Sequence, residues 1–186
     1  MALLKWAAAC GLCAGVLVGT GGCWTLIGKG VSEARGGRPD KQEVKPLPAG
    51  PSLQRFGSAD IQVERSPDAG LMPPTVPPLV ARTIKTKLDE AKVFPYGKPG
   101  GQLLIKVRLT THWPEGGVTQ VISAFSEILG VVEFHDGSLP GSAPMATYYV
   151  RGFSTAIARK ADEDLASGFA DGVVEIVTEH MPKPAQ

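Results

Sequence analysis

His112, His135 and His180 are the only imidazoles in the 186-residue chain, so metal or acid–base chemistry would have to be built around them. A zinc centre wants three or four nitrogen or sulfur ligands at short-loop or helical spacing. These histidines lie too far apart in sequence for that, and no metal site is predicted. His135-Asp136 could display a base beside a carboxylate, with His112 as partner from a second strand end, and this trio is what a hydrolase would need. The same Asp136-Gly137 pair suits a hairpin turn, because aspartate bonds the backbone ahead of it and glycine accepts positive φ. None of Ser123, Ser126, Ser138, Ser142 and Ser154 stands in a Gly-x-Ser-x-Gly elbow. Gly100-Gly101 and Gly116-Gly117 fit neither glycine-rich phosphate motif and read as turns. No catalytic residue and no cofactor is therefore assigned, and the chain reads as a non-enzyme. For binding, Trp113 followed by Pro114 is the candidate, since rigid aromatics contact partners at low entropic cost. Tyr148-Tyr149 is the other aromatic pair, and strand alternation must turn one of the two inward.

The remaining reactive group is the thiol of Cys23. Cys10 and Cys13 lie within an apolar run, and Cys23 closes the small-residue cluster Gly19-Thr20-Gly21-Gly22-Cys23. Lys5, the apolar core Trp6 to Val18 and those small residues form the pattern of an export signal. Thr20-Gly21-Gly22-Cys23 resembles the lipobox of bacterial lipoproteins, with threonine where leucine is usual. The resemblance implies that residues 1–22 are removed and that Cys23 carries the acyl chains, palmitate among them, that bury in membrane lipid. Trp24, standing where an aspartate would retain the protein, implies by the same resemblance an outer-membrane address facing the periplasm. The alternative is an uncleaved membrane helix, because Trp6 to Ile27 carries no charge and is long enough to span. Beyond Cys23 no cysteine remains, so packing alone must hold the folded part together.

Removing residues 1–22 takes away one of 19 basic residues and no acid, leaving basic and acidic side chains matched at 18 each. No net field favours nucleic acid. The basic residues Arg82, Lys85, Lys92, Lys106 and Arg108 are interleaved with acids and read as a solvated surface.

The elements that must position these groups follow from periodicity. Residues 23–51 mix glycine, proline and charge without an apolar rhythm and read as a lipidated cysteine followed by a flexible tether. Asp60 to Arg65 alternates apolar and polar residues, the period of a half-buried strand. Prolines from Pro73 to Pro78 lead into a helix whose stripe is Val80, Ile84, Leu88 and Ala91. Ile105, Val107 and Leu109 share one face of the next strand, opposite Lys106, Arg108 and Thr110. Val121-Ile122, Ile128 to Phe134 and Thr147 to Ser154 are further strand candidates. Leu165, Phe169, Val173, Ile176 and Val177 stripe a closing helix whose first turn holds Asp162, Glu163 and Asp164, where carboxylates favour the helix dipole. The predicted class is α+β: about four antiparallel strands with two helices on one face, in the order β-α-β-β-β-α. The globular domain is placed at 52–180, with a disordered tail at 181–186.

With this order, the strand from Ile61 to Glu64, the strand from Leu103 to Thr111 and the segment Gly130-Val131-Val132-Glu133-Phe134-His135-Asp136-Gly137, the chain resembles a family of uncharacterised bacterial lipoproteins. The layout is similar to the amino-terminal domain of TolB and to the curli-secretion lipoprotein. The resemblance implies a lipid-anchored cell-envelope protein that binds or assembles with another envelope protein. A small-ligand carrier is the alternative, and it calls for an apolar cavity between sheet and helices. A hydrolase using His112, His135 and Asp136 is the third reading.

Overall fold

The computed structural model describes residues 38–70, 72–94, 99–113, 126–154 and 161–182. The signal, Cys23 and the candidate strand Val121-Ile122 lie outside them. Five strands and two helices follow in the order β1 (Arg38–Lys45), β2 (Phe56–Arg65), α1 (Val76–Glu90), β3 (Gly101–Trp113), β4 (Ser126–Asp136), β5 (Ala146–Ser154) and α2 (Ala161–Glu179). They form one sheet ordered β1-β5-β4-β3-β2. No helix among the described residues is long and apolar enough to cross a membrane.

The α+β class holds, and two expectations are corrected. The sheet has five strands and is mixed, because β2 and β3 run parallel with Ile61 opposite Ile105. A helix lies between those two strands in the chain, and a crossover of that length brings the chain back in its original direction. The other correction falls on the tether: Arg38–Lys45 is a strand, pairing antiparallel with β5 from Arg38 opposite Phe153 to Lys45 opposite Thr147. Its charges and Pro39 suit an edge, where only one side of the strand must be satisfied. Lys41 also reaches across to α2, 2.8 Å from Glu179 and 3.7 Å from Glu175.

Apolar periodicity explains the rest. Val80, Ile84 and Leu88 of α1 are buried, as are Leu165, Phe169, Val173, Ile176 and Val177 of α2. Ala91, expected to extend the first stripe, is exposed just past the helix end. There the chain turns through Lys92 at φ 50°, and the Val93 amide donates to the Leu88 carbonyl, closing α1 with a left-handed cap. Both stripes pack on Leu103, Ile105, Val107 and Leu109 of β3 and Ile128, Val132 and Phe134 of β4. Phe134 meets Tyr148 edge to face at 5.8 Å, and the Tyr148 hydroxyl accepts from the Leu47 amide at 3.1 Å. α2 lies close on β5 at Gly152, where a Cβ would come within 2.5 Å of both the Leu165 carbonyl oxygen and the Phe169 nitrogen.

Candidate functional site

Both helices pack on one face of the sheet, so strand alternation sends every second side chain to a face that neither helix covers. The registers arrange that open face in rows. Arg38, Phe153 and Glu127 stand abreast across β1, β5 and β4, and Asp40, Arg151, Leu129 and Thr111 form the next row, which reaches β3. Gln42, Tyr149, Val131, Arg108 and Glu64 follow, then Thr147, Glu133, Lys106 and Gln62, then His135, Leu104 and Asp60.

The surface is a mosaic. Tyr149 is 45% exposed, and Leu104, Leu129, Val131 and Phe153 are half-buried. Around them Arg151 pairs with Glu127 at 2.8 Å and lies over the Phe153 ring at 5.1 Å. Arg108 reaches Glu64 at 3.4 Å, whereas the exposed Lys106 makes no ion pair among the described residues. A depression of about 520 Å³ is lined by Gln62, Glu64, Lys106, Arg108 and Glu133. Tyr148 is the inward member of the tyrosine pair, 1% exposed, and Tyr149 the outward one.

The trio His112, His135 and Asp136 is not brought together. His112 stands opposite Ile128 near the start of β4, whereas His135 stands opposite Leu104 near its end. At about 3.3 Å per residue the two histidines are roughly 20 Å apart along the sheet. They also occupy opposite faces. A register shift between Leu109 and Thr111 changes the phase of β3, so His112 shares the helix-facing side with Ile128. Its Nε2 lies 2.9 Å from Oδ1 of Asp162 in the first turn of α2, and its buried Nδ1 has no partner among the described residues. His135 has both ring nitrogens engaged, Nδ1 with the Ser142 carbonyl and Nε2 with Glu133, each at 3.2 Å. Asp136 does the turn work read from its sequence. It accepts from the amide and hydroxyl of Ser138 and pairs with Arg55 at 2.9 Å. The Ser138 hydrogen bonds, aided by the Arg55 charge, hold its carboxyl below the ordinary 3.8. His180, at the end of α2, lies 3.4 Å from both Ser52 Oγ and the Gly50 carbonyl. No group of three or more metal-ligating side chains occurs among the described residues.

The pairing of Asp162 with His112 and that of Arg151 with Glu127 went unread in the sequence, since the partners lie 50 and 24 residues apart and no local pattern marks such pairs. Trp113 ends β3 with its backbone opposite Glu127. The layer between sheet and helices is filled by side chains such as Leu109, Ile84 and Phe169, each fully buried. A groove of about 240 Å³ between β2 and α1, lined by Ala59, Ile61, Leu88 and Phe94 among others, opens at the surface.

No family model matches the chain, and no curated protein matches it. Among solved structures it is similar to a PelC dodecamer from Paraburkholderia phytofirmans, at 15% identity over 79% of this chain and 99% of that one, with a TM-score of 0.40. A second PelC dodecamer from the same organism shows 14% identity over 78% and 97%, with a TM-score of 0.39. A protein from Caulobacter crescentus CB15 described as a candidate lipoprotein shows 13% identity over 63% and 88%, with a TM-score of 0.35. Likeness at this level assigns neither a site nor an activity.

Proposed function

We propose that this chain is a non-enzymatic, lipid-anchored module of the bacterial cell envelope, held in the membrane through acylated Cys23 and binding an envelope protein with the open face of its sheet. The observation that carries the reading is the segregation of both helices to the other face, which leaves Tyr149, Val131, Leu129, Leu104 and Phe153 among charged neighbours. An aromatic and aliphatic centre ringed by charge is the composition of a protein-binding surface. The matched charge of the chain beyond residue 22 argues for a protein rather than nucleic acid. The signal pattern and Thr20-Gly21-Gly22-Cys23 support the anchor, and Trp24 supports an outer-membrane destination facing the periplasm.

Two experiments test the two halves. Labelling cells with a palmitate analogue is expected to tag the wild type and not Cys23→Ala, with the label in the outer-membrane fraction. An untagged wild type would end the anchoring reading. A photo-crosslinking residue at position 149 is expected to capture one envelope protein, and Val131→Glu to abolish the capture without loss of fold. A crosslink that survives Val131→Glu would remove the open face from the proposal.

A further inference from the structure

His135 is held between two acceptors. Its Nδ1 lies 3.2 Å from the Ser142 carbonyl oxygen and its Nε2 lies 3.2 Å from Oε2 of Glu133, with the side chain only 10% exposed. A neutral imidazole carries hydrogen on one ring nitrogen and presents a lone pair at the other, whereas the imidazolium donates from both. Both contacts are therefore favourable at once only while the ring and the carboxylate share an additional proton, which the ring carries as imidazolium. Glu133 has another cation within reach. Lys106 stands directly opposite it on β3, where cross-strand neighbours on one face ordinarily interact. Yet Lys106 is exposed and makes no ion pair among the described residues, because Glu133 has turned along its own strand to His135. The other charges around the pair are engaged elsewhere. Asp136 is held by Arg55, Glu64 by Arg108, and Lys45 donates to the Pro144 carbonyl. Leu104 faces the ring from β3, with Asp60 of β2 beyond it accepting from Gln62. On β5 the neighbour of Glu133 is the uncharged Thr147.

We propose that one proton exchanges Glu133 between His135 and Lys106, giving the open face a pH-operated change of charge. In the protonated state Glu133 neutralises the imidazolium, and Lys106 projects its charge into the depression that it lines with Gln62, Glu64 and Arg108. When the ring gives up a proton, one hydrogen is left for two acceptors. The Ser142 carbonyl has no other donor among the described residues, and a buried acceptor that loses its hydrogen bond is costly. Glu133 is 30% exposed and has Lys106 opposite, so it is the partner more cheaply released. The remaining hydrogen therefore stays on Nδ1. The Nε2 lone pair then faces the carboxylate, and repulsion moves Glu133 across to Lys106. The hold of His135 on the loop at Ser142 persists in both states, while the cation in the depression is cancelled in one of them. The imidazolium contact with Glu133 is present at low pH and lost as pH rises, and the face loses one positive charge with it. The exchange rests on these contacts and not on any partner, although the face it alters is the one read above as the binding surface.

The test is nitrogen-15 NMR of the full chain in detergent, with histidine and lysine labelled, scanned across the interval of about pH 5 to 8 in which imidazole ordinarily changes charge. The chain's three imidazoles give three sets of ring signals, and His135→Gln assigns the one in question. At the acid end both ring nitrogens of His135 are expected to carry hydrogen. At the alkaline end the hydrogen is expected on Nδ1 and not on Nε2. The Lys106 Nζ signal is expected to move with the same midpoint as the ring. Glu133→Gln removes the carboxylate that favours the imidazolium, so it is expected to lower that midpoint by about a few tenths of a pH unit or more and to leave the Lys106 signal still. Position 133 is partly exposed, so this substitution spares the fold. A neutral ring with its hydrogen on Nε2 would overturn the proposal. So would a ring that keeps one protonation state throughout, or a Lys106 signal indifferent to the His135 transition. None of these readouts involves a partner, so the exchange and the binding surface can fail separately.

Discussion

Gly152→Ala is the sharpest probe of how α2 is seated. The added Cβ would lie 2.5 Å from the Leu165 oxygen, 2.5 Å from the Phe169 nitrogen and 3.0 Å from the Phe169 Cα, against 3.4 Å for ordinary contact. These are backbone atoms, so no side-chain rotation relieves the clash, and the helix must lift by about 1 Å. A gap of that size forfeits roughly a quarter to a half of the dispersion energy of each contact it opens. Phe169 and Leu165, both fully buried, stand at that spot. Overpacking of a core ordinarily costs about 1–3 kcal/mol, and a clash with several backbone atoms of one helix belongs at the upper end. We expect a loss of about 3 kcal/mol, read as a lower urea midpoint at unchanged slope and a melting temperature about 10 °C lower. Gly172→Ala is the control, because its Cβ would meet only side-chain atoms, Val150 Cγ1 at 2.9 Å and Pro39 Cβ at 3.2 Å. Alanine also favours a helix over glycine by about 1 kcal/mol, so this variant is expected to lose less than about 1.5 kcal/mol. A Gly152→Ala protein within about 0.5 kcal/mol of wild type, or one more stable than Gly172→Ala, would refute the reasoning.

Tyr148→Phe leaves the Leu47 amide without its acceptor and is expected to cost about 1–2 kcal/mol in denaturant titrations. Burial holds the Tyr148 hydroxyl above its ordinary pKa of 10.0. Above that pH the unfolded tyrosine ionises while the folded one does not, so stability falls as pH rises toward the folded value; the variant should flatten this alkaline slope. Ser138→Ala removes the hydroxyl hydrogen bond that contributes most to depressing Asp136 and keeps the amide one. A depressed carboxylate adds stability above 3.8 that is lost as pH falls through its folded pKa, so the variant's Asp136 should titrate at higher pH by NMR and its acid loss should be smaller and complete at a higher pH. Lys92→Gly relieves a left-handed backbone, φ 50°, and is expected to raise stability by about 1 kcal/mol in thermal unfolding.

The helices were legible because their stripes are local: Val80, Ile84 and Leu88, or Leu165, Phe169 and Val173, announce a buried face within a few turns. Strands β3, β4 and β5 were legible through the same kind of short-range alternation. β1 was not, since an edge strand need bury nothing and its charges read as linker. Nor was the parallel pairing of β2 with β3 legible, because element order does not say which strands become neighbours. His112 shows the limit most clearly. Alternation from Ile105, Val107 and Leu109 would set it on the face of Lys106, Arg108 and Thr110, and the bulge at Leu109 to Thr111 reverses that phase. Its contact with Asp162 then depends on where α2 begins, which no residue near 112 encodes. The open face itself was half visible: one of two adjacent tyrosines had to point outward, and Tyr149 does.

The placement of β1 against β5 also bears on the order in which the molecule can assemble. Leu47, just past β1, bonds a tyrosine 101 residues further along, and long-range closures of this kind are slow to form. A chain delivered from its amino end presents β1 first, yet the ladder that receives it is completed only when β5 arrives. Until then the eight residues of β1 wait without a neighbour, and their charges and proline keep that interval from becoming an opportunity for mispairing.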